Sequence, residues 1–326
     1  MGLYTHLSRD KRNIIEGMLI IGSSQENIAI ATGFSESSIS YEISKNTHSS
    51  GTYSAEYAQA QAVKRRKASK ERSVLSDPKI IEYIDRNLKE YWSPEQVSGR
   101  GKIADDPIKV STESIYEYIY LPENKTKELW KYLRRSRKRP KKQKPGRSKR
   151  KGCNIRNRVS IHKRPEEVND RSRIGDFEGD SVVGARQGND GALATFNDRK
   201  SSLVLIGKME RKCSNEMCRV STTLLKRIPK SKRHTMTFDN GSEFVCHEAI
   251  TAVTGIKCFF ADPYSSWQRG ANENTNGLIR QFFPKGTSFK HVTQEDAERV
   301  ARLLNNRPRK RLGFRTPLEV FFENSS

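Results

Sequence analysis

The residues whose types and spacing could do chemistry lie between positions 234 and 283, and two of them are acidic: Asp239 and Glu273. Asp239 follows Met236, Thr237 and Phe238, a run that alternates like a strand, and precedes Asn240-Gly241, a turn signal. A carboxylate at a strand end is placed where ligands usually meet an α/β sheet. Glu273 falls near the start of a predicted helix. Its neighbours at i+3, i+4 and i+7 are Asn276, Gly277 and Arg280, so this helix face looks toward something polar. Two such carboxylates can hold a divalent metal, and an arginine two turns on can meet phosphate. Together these are the requirements of phosphoryl transfer.

Residues 174–183 offer three further acids. They read as a strand bearing Asp176, Glu178 and Asp180, which period two places on one face. Three carboxylates on one side are costly unless cations compensate them, so a metal is the natural inference. Spacing alone does not select the ligand. Strand-like runs follow at 192–198 and 202–209, then a helix over 217–228 and the strand ending at Asp239. A helix at 243–253, a strand at 256–260 and the helix of Glu273 complete the series. The order βββ-α-β-α-β-α predicts an α/β ribonuclease-H-like fold, a mixed sheet with helices on both faces.

The 326 residues leave room for two or three domains, and the formal charge of +23 with a pI of about 9.9 points to a polyanionic partner. No apolar run reaches the length of a membrane span, and the amino terminus lacks a signal peptide's apolar core. A cytoplasmic protein with no membrane partner is therefore expected. Five cysteines (Cys153, Cys213, Cys218, Cys246 and Cys258) form no CxxC pair, and we read them as reduced thiols.

Residues 1–60 predict an all-α helix-turn-helix module. Three short helices span 8–46, with Gly33 in a turn and Ser35 capping the third. Ile39 and Ile43 bury one side of that helix. Ser37, Ser38, Ser40, Tyr41 and Lys45 then face outward, where polar groups suit base edges in a major groove. Acids slightly outnumber Lys and Arg in this segment, so phosphate attraction must come mostly from elsewhere. Residues 73–130 predict a second helical, helix-turn-helix-like domain, with a capping box at Ser93-Pro94-Glu95-Gln96. Residues 131–170 read as a basic linker lying on phosphate, its affinity steeply salt-dependent. The catalytic domain is expected over 171–326, including a helical tail in which Arg307, Arg309, Lys310 and Arg311 are further candidates for DNA contact. Tyr264, Trp267 and Phe282 suit either base stacking or core packing.

These residues resemble the DDE transposases of bacterial insertion sequences, specifically the insertion sequence thirty family, related in fold to retroviral integrases. The resemblance rests on F-E-G-D at 177–180, T-F-D-N-G-S-E-F at 237–244 and Y-S-S-W-Q-R-G-A-N-E-N-T-N-G-L-I-R-Q-F-F-P-K-G-T at 264–287. The tail N-N-R-P-R-K-R-L-G-F-R-T-P-L-E-V-F at 305–321 also fits, and 33 residues separate Asp239 from Glu273. Phe177 stands where the family commonly has Trp. The resemblance implies Asp180 as the first catalytic acid and Asp180, Asp239 and Glu273 as ligands of two Mg²⁺ ions, with Mn²⁺ as a substitute. It further implies that Arg280 contacts DNA near the cleavage site. The implied activity is metal-dependent cleavage and joining of double-stranded DNA, element ends to target, by a homodimer or higher oligomer in the bacterial cytoplasm at the nucleoid. A catalytically silent repressor of the element and a ribonuclease-H-like nuclease are the competing expectations.

Overall fold

The computed structural model describes residues 6–48, 50–71, 75, 77–105, 107–134, 155–185 and 190–323. By its internal contacts the chain divides into two units, Met1–Pro78 and Lys79–Ser326.

In the first unit the predicted helices appear as α1 (Arg9–Ile20), α2 (Gln25–Thr32) and α3 (Glu36–Asn46), followed by a long α4 (Ala55–Glu71). Serines cap the first three: Ser8, Ser24 and Ser35 each accept from an amide in the first turn. Gly33 ends α2 at φ 73°, a left-handed conformation that glycine adopts without a Cβ penalty. Ile15, Ile28, Ile39 and Ala58 are fully buried and form a small core. Beside it, Arg12 Nε lies 2.7 Å from Glu42 Oε1 with both side chains nearly excluded from solvent, tying α1 to α3.

The second unit begins with α5 (Pro78–Lys89), α6 (Pro94–Gly101) and α7 (Thr112–Tyr120). The expected capping box closes α6, with Ser93 and Gln96 bonding each other's backbone amides. A five-stranded sheet follows: β1 (Asp176–Val183), β2 (Ala192–Asp198), β3 (Val204–Met209), β4 (Thr235–Phe238) and β5 (Lys257–Phe260). Its strand order is β3-β2-β1-β4-β5, antiparallel across β1, β2 and β3 and parallel from β1 through β4 to β5. The remaining helices are α8 (Glu166–Asp170), α9 (Ser214–Lys226), α10 (His247–Thr254), α11 (Gly270–Phe282), α12 (Gln294–Asn305) and α13 (Pro317–Phe322). The element order over the sheet is the βββ-α-β-α-β-α read from the sequence.

Alternation along β2 splits the core into two layers. Ala192, Ala194 and Phe196 pack with Met217, Val220 and Leu224 of α9, Ile250 of α10 and Phe321 of α13. Leu193 points the other way, to Leu278 and Ile279 of α11 and Ala297, Val300 and Leu304 of α12. Each such buried aliphatic or aromatic side chain contributes about 1.5–3 kcal/mol, so both faces are held by burial.

Residues 155–170 depart from the expected linker. The amide of Phe260 donates to the Val159 carbonyl at 2.9 Å, and Ile155 enters the core beside α9 and α10. Val168 at the end of this segment is also buried. The basic stretch over 135–154 lies outside the described residues. Among the described residues no helix is long and apolar enough to cross a membrane. The four described cysteines are free, and burial pushes the thiols of Cys246 and Cys258 up to about 12 and about 11.

Candidate active site

Strands β1 and β4 run side by side in parallel, with Glu178 opposite Thr237. Asp180 lies two residues beyond that pair on β1, and Asp239 directly follows β4, so both acids emerge toward the same end of the sheet. Arg269, just before α11, binds the two together. Its Nη2 lies 3.1 Å from Asp239 Oδ2 and its Nη1 4.0 Å from Asp180 Oδ2, with the guanidinium-bearing side chain only 10% exposed. Asn276 of α11 donates from Nδ2 to Asp180 Oδ2 at 2.8 Å, and the Ser181 amide donates to Oδ1 at 2.7 Å. Burial pushes the Asp180 carboxyl above the ordinary range. Arg269 and the Ser181 amide oppose that shift, and the charge of Asp239 adds to it.

Asp239 is held by its own turn. Its Oδ1 accepts from the Gly241 amide at 2.9 Å. Position 241 has no room for a side chain, because a Cβ there would stand 2.4 Å from Glu243 Oε2 and 2.9 Å from Asp239 Oδ1. Glu243 is buried beneath this turn, accepting from Ser181 Oγ at 2.9 Å and pairing with Lys212 Nζ at 2.8 Å.

The acidic face of β1 is compensated differently from the sequence expectation. Asp176 pairs with Arg173 Nε at 2.8 Å and accepts from Thr235 Oγ1 at 2.7 Å. Glu178, fully buried, pairs with Arg199. Two of the three carboxylates therefore have arginine partners of their own, and only Asp180 faces Asp239.

Glu273 lies on α11, four residues after Arg269 and three before Asn276, and is exposed. Among the described residues no three His, Cys, Asp or Glu side chains are grouped closely enough to hold a metal ion. The structure thus brings together two of the expected acids and leaves the third on the adjoining helix. Arg280 is engaged elsewhere: its Nη2 donates to the Val183 carbonyl at 2.8 Å and its guanidinium lies against the Phe289 ring. Among the described residues the cation at both acids is Arg269, which precedes Glu273 in the chain rather than following it. Its position four residues before that acid was the available signal. Tyr264 and Trp267, in the approach to α11, are 96% and 74% exposed, whereas Phe282 packs edge-on against Tyr91.

In the first unit, Ser37, Ser40, Tyr41 and Lys45 are exposed on α3 and Ser38 is half-buried. The hydroxyls of Ser37 and Ser38 bond the capping Ser35, and the Lys45 ammonium lies 4.5 Å from the centre of the Tyr41 ring.

No family model matches the chain. It is 42% identical over 318 residues to the transposase for insertion sequence element IS4351 of Bacteroides fragilis, covering 97% of this chain and 95% of that one. To the transposase InsI for insertion sequence element IS30A of Escherichia coli K12 it is 36% identical over 321 residues, covering 97% of this chain and 83% of the relative. Among solved structures, the catalytic core domain of BIV integrase aligns with a TM-score of 0.36 and 16% identity, covering 46% of this chain and 94% of that domain. On the two near-full-length relationships, the chain belongs to the IS30 family of insertion-element transposases.

Proposed function

We propose that this transposase cuts and joins double-stranded DNA at the ends of its element, with Asp180, Asp239 and Glu273 as the catalytic acids. The observation that carries the reading is the pairing of Asp180 and Asp239 across Arg269 at one end of parallel strands. Two carboxylates placed this close repel unless a cation lies between them, and a guanidinium already does so.

The donor set suits a hard divalent ion. Asp180 and Asp239 offer carboxylate oxygens, and the Asn276 Oδ1 beside Asp180 is buried without a hydrogen-bond partner. Asp180 and Asp239 would hold the ions with Glu273 as the third ligand. Mg²⁺, or Mn²⁺ in its place, bound as a pair would supply an activated oxygen nucleophile and charge stabilisation at the leaving oxygen.

The chain's own groups have distinct tasks. Asn276 and the Ser181 amide fix the direction of the Asp180 carboxylate, and the Gly241 amide fixes that of Asp239. Arg269 balances the carboxylates in the free protein and turns to phosphate oxygens when DNA enters, since a planar guanidinium suits both partners. Exposed Tyr264 and Trp267 offer stacking surfaces for bases near the cut. The outer face of α3, with Ser37, Ser38, Ser40, Tyr41 and Lys45, reads the element ends, and Arg280 supports α11 from within. Pairing of two DNA ends calls for at least two copies of the chain.

The test is a labelled duplex ending in the element's inverted repeat, incubated with purified protein and Mg²⁺ or with EDTA. Mg²⁺-dependent cleavage that unlabelled duplex suppresses better than an RNA–DNA hybrid supports the reading. Binding without cleavage would instead identify a repressor, and preference for the hybrid a nuclease of another kind.

A further inference from the structure

A cavity of about 350 Å³ opens within the larger unit, between α6, α11 and the residues that follow α12. Its lining carries five cations, Arg134, Arg307, Arg309, Lys310 and Arg311, and one carboxylate, Glu95. That carboxylate is taken by Lys310, 2.6 Å away. Arg307 is 4% exposed, and its guanidinium donates to two neutral oxygens, Gln96 Oε1 at 2.7 Å and Gln281 Oε1 at 3.3 Å. Arg309 donates to the Leu304 carbonyl and has a buried Nε without a partner. Among the described residues, Arg307, Arg309 and Arg311 make no ion pair with a carboxylate.

Guanidinium groups stay charged at neutral pH, so holding the buried Arg307 beside the partly buried Arg309, with Arg311 on the rim, is costly unless an anion joins them. Burial, and then the neighbouring guanidinium groups, holds both Arg307 and Arg309 below the ordinary arginine range. The cavity also reaches the catalytic helix: Asn274 and Thr275, directly after Glu273, line it.

We propose that this cavity is a binding site for a phosphate group, supplied by the backbone of the DNA strand that runs along α11 to the acids. The assignment rests on DNA being the substrate. Planar forks converging on one space match phosphate oxygens, and they place a strand anchor beside the cleavage centre.

The experiment compares full-length protein with Arg309→Gln and, on the cavity's rim, Arg311→Gln, in three readouts. These are affinity for a duplex carrying the element end across a salt series, thermal unfolding with and without inorganic phosphate, and unfolding without ligand to check the fold. We expect folded variants to bind the duplex about tenfold more weakly, with a salt slope shallower by about 0.9 per lost contact. Phosphate should raise the unfolding temperature of the wild type more than that of either variant. Phosphate protection with unchanged duplex binding would overturn the DNA assignment and give the site to a free anion. Unchanged duplex binding with no phosphate effect would overturn the site altogether. A wild-type protein that binds no duplex would refute the DNA reading of the whole chain, which is a separate outcome.

Discussion

Replacing Arg269 with Gln removes the positive charge shared by Asp180 and Asp239 and leaves a shorter, neutral donor. At a charge separation of about 4 Å and an effective dielectric of about 20, each full pair is worth about 4 kcal/mol before costs. Asp239 is 40% exposed and Asp180 22%, so solvent screening and the desolvation of Arg269 reduce the net contribution to about 1–2 kcal/mol. Two consequences follow in opposite directions. Without metal, the variant loses about 1–2 kcal/mol of stability, measured by denaturant unfolding in EDTA. With metal, the guanidinium no longer competes for the carboxylates, and relief of about 1.4 kcal/mol corresponds to tenfold tighter binding. Calorimetric titration with Mn²⁺ reads that change directly. Arg269→Lys, which retains the charge, should bind Mn²⁺ much as the wild type does. Strand cleavage should still fall in Arg269→Gln, because the phosphate loses its arginine. An unchanged or weaker Mn²⁺ affinity in Arg269→Gln, with unchanged stability in EDTA, would refute the view that Arg269 holds the metal's place.

Three further outcomes are expected. Gly241→Ala drives a methyl group to within 2.4 Å of Glu243 Oε2 and 2.9 Å of Asp239 Oδ1, and should cost about 1–3 kcal/mol of stability and most of the cleavage activity, read by unfolding and by gel. Glu42→Ala strands Arg12 in the first unit and should destabilise that unit by roughly 3–5 kcal/mol, seen as an earlier loss of its helical signal on heating and weaker binding to element ends. Burial alone would raise the Glu319 carboxyl, but its paired bonds from Arg100 and the Thr316 amide outweigh burial and hold it below the ordinary value of 4.5. A depressed carboxylate stabilises the fold above its unfolded value, and that contribution is lost as pH falls through the folded one. Wild type should therefore lose stability more steeply than Glu319→Gln as pH drops below about 4.5 in acid titrations of unfolding.

The strands and helices that carry the acids were legible because their signals are local. Asp239 stands between an alternating run and Asn-Gly, and the polar face of α11 is visible at helical spacing. Ser35 and Ser93 announce their helices through capping chemistry confined to a few residues. What stayed hidden was long-range. The partners that remove Asp176 and Glu178 from contention are Arg173, a near neighbour, and Arg199, which reaches Glu178 only once β1 and β2 have paired. Residues 155–170 read as tether because they continue the basic run that begins at Lys131, yet Ile155, Ile161 and Val168 recur among them and are buried. Arg280 has the right spacing to meet phosphate, but the direction of its side chain is set by the Val183 carbonyl, which sequence spacing does not reveal. Arg307 likewise reads as one more surface cation in a basic tail, whereas folding encloses it between Gln96 and Gln281.

The central claim is that Asp180, Asp239 and Glu273 act together on DNA, although Glu273 stands apart from the other two in the free chain. Strand cleavage and joining of a labelled element end by Asp180→Asn, Asp239→Asn and Glu273→Gln, each with its duplex affinity measured in parallel, tests it most directly. The account predicts that all three variants bind the end as the wild type does and that none cleaves or joins it. Normal strand transfer by Asp239→Asn or by Glu273→Gln would contradict it.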